Sequence, residues 1–128
     1  MNAVLDTNVL VSALLTPGGN AWIIVEAFTD YAFGLFYSPK IFDEYAGVLS
    51  RPKFGFERSL VSALLTAVKQ NGVCLYPPVS ITTFEDESDR KFYDCALCGN
   101  ACLVTGNIKH FPVELFIITP KAFAAMLP

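Results

Sequence analysis

The most constraining feature of this 128-residue sequence is its alternation of short apolar runs with longer amphipathic segments. The apolar runs are continuous, a pattern typical of strands that are covered on both faces. The amphipathic segments between them predict helices. This order favours the α/β class, with a central parallel sheet of about five strands in a three-layer α/β/α arrangement. The predicted strands are Asn2–Leu5, Gly34–Tyr37, Val73–Tyr76, Ala101–Val104 and Leu115–Ile118.

The predicted helices begin and end at capping or breaking residues. Pro17-Gly18-Gly19 separates the first helix from the second, Ser38-Pro39 opens the third, and Asn71-Gly72 closes the fourth. The chain contains no repeat, low-complexity tract or linker, so a single domain covering 1–128 is predicted. Four of the helices are predicted with the bounds Val9–Leu15, Leu60–Gln70, Asp89–Cys98 and Pro120–Met126.

Composition restricts the kinds of partner the chain can bind. Only 16% of its residues are charged and 53% are hydrophobic, whereas an average domain has about 25% charged residues. We expect a well-buried core together with an oligomer or partner interface, to which the aromatic residues Trp22, Phe28, Tyr31 and Phe33 contribute. The net charge of −3 and the lack of a Lys/Arg run argue against broad, nonspecific binding to nucleic acid. No signal peptide or membrane-length apolar run is visible, which predicts a cytoplasmic protein without a membrane segment.

The cysteines include a Cys95-x2-Cys98 pair followed by Cys102, with Cys74 further upstream. A zinc site of this type needs a second module of paired ligands, but the only histidine is His110 and no such module exists. The sequence therefore favours free thiols in a reducing compartment over a zinc centre.

Asp6 directly follows the first predicted strand. Ligands of such sheets bind beyond the carboxyl ends of the strands, and Asn107 reaches the same edge after the fourth strand through Thr105-Gly106. Asp6 would also make a good helix N-cap, but Thr7 and Asn8 can cap equally well. We therefore expect Asp6 to be functional.

Two helices carry the other candidate acids. Glu44 lies near the apolar stripe of the third helix, where a carboxylate is costly unless it is paired, metal-bound or able to reach water, while Asp43 lies on a more polar face. Asp89 begins the fifth helix on its core-facing stripe, as a ligand or an N-cap. Asp94 lies beside Arg90, and its spacing favours a surface ion pair. If several acids converge at the sheet edge, their oxygens suit Mg²⁺ or Mn²⁺, which can activate water against a phosphodiester.

Four stretches, in their order and spacing, resemble the PIN-domain family, and in particular its toxin–antitoxin-type ribonucleases. The stretches are Val4–Leu10, Ser38–Phe54, Asp89–Leu97 and Leu103–Phe111. The resemblance implies catalytic and metal-binding acids at Asp6, Glu44, Asp89 and Asp94. It implies supporting roles for Thr7, Asn8, Thr105 and Asn107.

The resemblance also implies Mg²⁺- or Mn²⁺-dependent cleavage of RNA, a cognate antitoxin as partner, and a homodimer. One departure concerns the fourth motif, in which the family commonly has Asp and this chain has Asn107. The change removes one negative charge from the expected site, but an amide still donates and accepts hydrogen bonds. Second-metal binding and catalytic strength are the properties that this change affects.

Three alternatives remain at the level of sequence. A haloacid-dehalogenase-like phosphatase would use Asp6 as a covalent nucleophile, but it needs a second acid where this chain has Asn8. A receiver-like module needs paired acids near the first strand, but Leu5 and Thr7 flank Asp6. A binding protein without activity would keep the fold and its interface, and Asn107 is compatible with that interpretation.

Overall fold

The computed structural model describes residues 1–128 and confirms the α/β class. Its strands are β1 (Asn2–Leu5), β2 (Gly34–Tyr37), β3 (Val73–Cys74), β4 (Cys102–Val104) and β5 (Ile117–Ile118). They form one five-stranded parallel sheet in the order β3-β2-β1-β4-β5. Because β1 is central and the crossovers lead outward from it, the residues that follow β1, β2 and β4 reach the same sheet edge.

Six α-helices connect and cover the strands. They are α1 (Thr7–Leu15), α2 (Asn20–Thr29), α3 (Pro39–Leu49), α4 (Arg58–Asn71), α5 (Arg90–Gly99) and α6 (Pro120–Met126). Short 3-10 turns occupy Pro52–Phe54, Glu87–Asp89 and Ile108–His110. No single helix is long and apolar enough to cross a membrane. Only α1 and α2 taken together reach that length, and they are bent by 104°.

The core is built around β1, in which Ala3, Val4 and Leu5 are at most 1% exposed. Helix α5 packs across β1, β2 and β4, while α2 packs against α1 and α6, and α3 against α4. Apolar burial on both faces of the sheet explains why the strands have no polar alternation. The result is the predicted three-layer α/β/α arrangement.

Helix α3 is anchored at both the sheet edge and the core. The Ser38 side chain accepts the backbone N–H of Ile41 at 3.3 Å, and Pro39 occupies the first turn, where its missing N–H costs nothing. Farther along the helix, the fully buried Tyr45 donates its hydroxyl to the carbonyl of Leu5 at 2.5 Å. This bond ties α3 directly to the end of β1.

Three predicted strands are shorter than expected, and β4 differs least, since it begins at Cys102 rather than Ala101. Strand β3 ends at Cys74 rather than Tyr76, whose exposed fraction is 80%, and β5 begins at Ile117 rather than Leu115, which is fully exposed. The chain is irregular beyond the observed ends of β3 and β5. After Tyr76, Pro77 and Pro78 have no backbone N–H groups with which to continue the hydrogen bonding of β3. Periodicity alone does not detect where pairing stops.

The predicted aromatic surface is largely interior. Phe28 and Phe33 are 2% and 7% exposed and belong to the core, so they cannot form an interface. Trp22 is half-buried, and Tyr31 is 74% exposed. The expectation therefore fails for the two phenylalanines: Phe28 lies on the buried side of α2, and Phe33, between α2 and β2, packs edge-on against Phe123 of α6.

Candidate active site

Three of the predicted acids come from three separate elements and act on one another. Asp6 follows β1, Glu44 lies in α3, and Asp89 ends the 3-10 turn before α5. The negative charge of Glu44 contributes to raising the pKa of Asp6, and that of Asp6 contributes to raising the pKa of Asp89. The three carboxylates thus share one electrostatic environment at the carboxyl edge of the sheet.

Asp6 is held by the loop that follows β4. It is only 8% exposed, and its Oδ2 accepts the hydroxyl of the fully buried Thr105 at 2.7 Å. The same hydroxyl oxygen accepts the backbone N–H of Asn107 at 3.0 Å. Burial is the main reason that the pKa of Asp6 is raised, and the bond from Thr105 opposes it. Asp6 stands at the N-cap position of α1 and makes no side-chain cap bond of ordinary length and angle, although the backbone N–H groups of Asn8 and Thr7 lower its pKa against the effect of burial.

Glu44 is half-buried between two donors. The Thr7 hydroxyl donates to its Oε2, and the Lys91 ammonium lies 2.7 Å from its Oε1. Lys91 also donates to the carbonyl of Ser88, in the 3-10 turn that carries Asp89. A lysine therefore links the second acid to the segment that bears the third.

Asp89 is half-buried and makes no cap bond, although it stands at the N-cap position of α5. Burial raises its pKa, and the charges of Asp86 and Asp6 raise it further, while His110 and Lys91 oppose the rise. The His110 Nδ1 lies 3.9 Å from its Oδ2. The Asp89 side chain therefore does not cap α5.

Asp94 is bound by the segment between β3 and α5. It is 6% exposed, and its Oδ2 accepts the backbone N–H of Ser80 at 3.2 Å. The expected surface ion pair with Arg90 is wrong, because Arg90 pairs with Glu87 at 2.8 Å. Whether Asp94 takes part in metal binding stays a prediction, which its variant tests.

The supporting residues tie the first and fourth motifs together. The Asn8 side chain accepts the backbone N–H of Gly106 at 3.4 Å, so the loops after β1 and β4 are joined above the sheet edge. Asn107 is exposed and contributes its backbone N–H to Thr105. The polar side chains after these two strands therefore form one hydrogen-bonded edge.

The donor set fits a hydrated, hard divalent cation. No group of three His, Cys, Asp or Glu side chains is close enough to ligate one ion directly. Mg²⁺, however, usually keeps several waters and binds through one or two carboxylates plus substrate phosphates. Asp6, Glu44 and Asp89 supply negatively charged oxygens of that kind from three elements. The charge that neutralises Glu44 in this structure is the Lys91 ammonium.

Lys91 is the site residue that sequence reasoning missed. By spacing it is one more charged residue near the start of α5, yet its side chain is only 15% exposed because it reaches Glu44. Helical spacing relates Lys91 to its own helix and carries no information about a partner on α3. The available signal was the basic pair Arg90-Lys91 directly after an acidic segment that ends in a candidate acid.

Comparisons with known proteins agree with this fold. A family model described as PIN domain matches residues 2–109. An uncharacterized protein of Methanocaldococcus jannaschii is 28% identical over 139 aligned residues, which cover 96% of this chain and 89% of the relative. The crystal structure of VapBC2 from Rickettsia felis, bound to a DNA fragment from its promoter, matches with a TM-score of 0.60 and 19% identity. That match covers 93% of this chain and 97% of the other, and it supports the fold.

Proposed function

The chain belongs to the PIN-domain family of nucleases, and from that premise we propose that it is a Mg²⁺- or Mn²⁺-dependent endoribonuclease, the toxin of a toxin–antitoxin pair. Nucleases of this family generally use divalent metal ions. The observation that carries the proposal is that Asp6, at the end of β1, interacts electrostatically with both Glu44 of α3 and Asp89 before α5. The four cysteines of the chain are free, which suits a reducing cytoplasm, where we expect the protein to act.

Each acid has a defined part in this proposal. Asp6, Glu44 and Asp89 would hold the ion, which when bound supplies a polarised phosphodiester and a water of lowered pKa. Hydroxyl donation from Thr105 holds Asp6, and donation from Thr7 holds Glu44, in fixed orientations. In the reaction, a water oxygen attacks phosphorus, the bond to the leaving ribose oxygen breaks, and that oxygen takes up a proton. Asp6 and Asp89 carry pKa values that burial and neighbouring negative charges raise, and a bound metal ion would relieve that cost.

A direct test uses a mixed RNA pool with the purified protein. We expect cleavage with Mn²⁺, none in excess EDTA, and recovery when Mn²⁺ is added beyond the chelator. RNA degradation that proceeds equally well in EDTA would contradict a metal-dependent mechanism. The second candidate is an inactive binding protein, which is compatible with the Glu44–Lys91 pair and with Asn107. Calorimetric titration of Mn²⁺ on the same sample distinguishes it from an enzyme.

An apolar groove supports the proposed homodimer and antitoxin contact. It encloses about 260 Å³ between α1, α2 and α4, and its walls include Leu14, Trp22, Val25 and Leu60. Leu60 is 44% exposed at its rim. Apolar burial there would contribute about 25 cal/mol per Å² before the costs of association.

Light scattering tests the homodimer. We expect a dimer for the native chain and a monomer for Leu60→Glu, because a carboxylate in an apolar interface is costly to desolvate. Val113→Glu, at a fully exposed position outside the groove, is the matched control and should stay dimeric. A native chain that is monomeric at high concentration contradicts this part of the proposal.

A further inference from the structure

A cleft between α3 and α4 lies apart from the acids of the proposed active site. It encloses about 540 Å³, and Ser50 and Phe56, in the segment that joins the two helices, form part of its wall. Two cations line it, Arg58 and Lys69, and no acidic residue does. The rest of the lining mixes apolar side chains with hydroxyls, so the cleft suits a ligand that is anionic and also has apolar surface.

Positive charge is concentrated around this cleft, although the net charge of the whole chain is −3. Residues 45–84 contain a single acid, Glu57, and four cations, which are Arg51, Lys53, Arg58 and Lys69. None of the four forms an ion pair, because the ion pairs of the structure involve other residues. Cations without counter-charges on one face produce a local positive potential that attracts an anionic partner.

The two cations of the cleft are far apart along α4. Arg58 and Lys69 are separated by about three helical turns, so they lie on one face of the helix with roughly 16 Å between their Cα atoms. Ser62 and Thr66 lie between them and also line the cleft. One phosphate group is too small to contact both ends, whereas a chain of phosphates can do so. The spacing therefore favours an extended polyanion over a small anion.

Aromatic rings lie among these cations. Phe56 is half-buried in the wall of the cleft, and its ring stacks on that of Phe54 with the centroids 5.3 Å apart. Phe42 of α3 also lines the cleft, and the Lys69 ammonium lies 4.7 Å from the centroid of its ring. This contact positions the ammonium without neutralising its charge. Cations that bind phosphates, together with rings on which bases stack, are the combination that single-stranded nucleic acids require.

We propose that this cleft binds single-stranded RNA to one side of the cleaved bond, an inference that rests on the proposed ribonuclease function. Arg58 and Lys69 contact phosphates of the strand, and a base lies against Phe56. An acidic peptide would use the cations but would leave the rings without a stacking partner. The cleft supplies the local positive patch that a nuclease of low overall charge needs in order to hold a polyanion.

Helix α3 separates the cleft from the acids. Only Asp43 stands between Phe42 and Glu44, so helical spacing places these two side chains on nearly opposite sides of α3. An α-helix with its side chains is about 10–12 Å across. An RNA strand with one phosphate at the acids must therefore extend by several nucleotides to reach the cleft, and only a long RNA benefits from it.

The experiment measures binding of fluorescent single-stranded RNA in EDTA, so that cleavage does not consume the probe. One probe has about 12 nucleotides and the other about three. For the double variant Arg58→Gln/Lys69→Gln, we expect the affinity for the long probe to fall about tenfold at low salt. The slope of log affinity against log salt should become shallower by about 1.4, because each phosphate contact with a single strand contributes about 0.7. Affinity for the short probe should not change.

Matched variants separate charge from other effects. Arg58→Lys/Lys69→Arg keeps both charges and should keep the native salt slope. Lys121→Gln removes a charge at an exposed position of α6 that does not line the cleft, and it should also keep the native slope. Because Arg58 and Lys69 are themselves exposed, the double glutamine variant should stay folded, which thermal melts check.

A native salt slope in the double glutamine variant, or an equal loss of affinity for both probes, overturns the RNA-binding cleft. The same holds if that variant loses affinity for a polyglutamate peptide but not for RNA, since the cleft would then take a protein segment. Metal-dependent cleavage together with a native slope rejects the cleft and leaves the nuclease proposal standing. A shallower slope in a protein that cleaves no RNA with Mn²⁺ supports the cleft and rejects the nuclease.

Discussion

Asp6→Asn is expected to lower Mn²⁺-dependent RNA cleavage at least about 100-fold while the protein stays folded. A loss of that size corresponds to about 2.7 kcal/mol of transition-state stabilisation, which is modest for the removal of a charged metal ligand. The fold should survive because the amide oxygen can still accept the Thr105 hydroxyl. Burial raises the pKa of Asp6, so its ionised form is unfavourable in the folded state, and the neutral amide should not lower the stability of the metal-free protein.

The other two acids of the site should behave in the same way. Glu44→Gln and Asp89→Asn each remove one unit of negative charge and keep the shape of the side chain, so each should cut the rate severely. Asp43→Asn is the matched control for Glu44, because it is the adjacent residue on the exposed face of α3. Rates follow from single-turnover cleavage, and folding from thermal melts in EDTA.

These variants also decide which residue is the third acid. Asp89→Asn should reduce cleavage of every RNA, and Asp94→Asn should do so too if both acids act on the metal ion. If Asp94→Asn abolished cleavage of all substrates and Asp89→Asn were fully active, the acid of the third motif would be Asp94. Full activity of both would contradict the metal-binding role of this helix altogether.

Lys91→Met should destabilise the metal-free protein and tighten its binding of Mn²⁺. The substitution keeps the apolar stem and removes the ammonium that lies 2.7 Å from Glu44. Glu44 then faces the charges of the other acids without a counter-charge. The expected loss is about 1–3 kcal/mol, between the values for exposed and buried pairs. In this variant the ammonium group that competes with a metal ion for Glu44, and repels it, is absent. The affinity of the site for Mn²⁺ should therefore rise about tenfold.

The measurements for Lys91→Met are thermal melts in EDTA and a calorimetric Mn²⁺ titration. Added Mn²⁺ should restore more stability to Lys91→Met than to the native chain, because ligand binding to the folded state stabilises it. Lys109→Met is the matched control, since Lys109 is an exposed lysine of the fourth motif that makes no ion pair. Unchanged melting and unchanged Mn²⁺ affinity would mean that Lys91 does not act as the counter-charge of the site.

Most of the architecture follows from local patterns in the sequence. Continuous apolar runs predict doubly covered strands, and the alternation of strands and helices predicts the parallel sheet, because only a helical crossover joins parallel neighbours. The predicted helix starts at Ser38-Pro39 and Pro120 coincide with the observed ones. Strand ends were less predictable, since Tyr76 and Leu115 are apolar but have no strand to pair with.

By itself, the sequence determined the α/β architecture and the position of Asp6 at its carboxyl edge. Placing Asp6 there needs only its position after β1, because all parallel strands of a sheet end on the same side. The tertiary structure decided which charges meet: it pairs Glu44 with Lys91 and turns Asp94 toward Ser80. Pairing across elements depends on how α3, α5 and the loop after β3 pack. Spacing along one helix records only which residues share a face of that helix, so it cannot specify these partners.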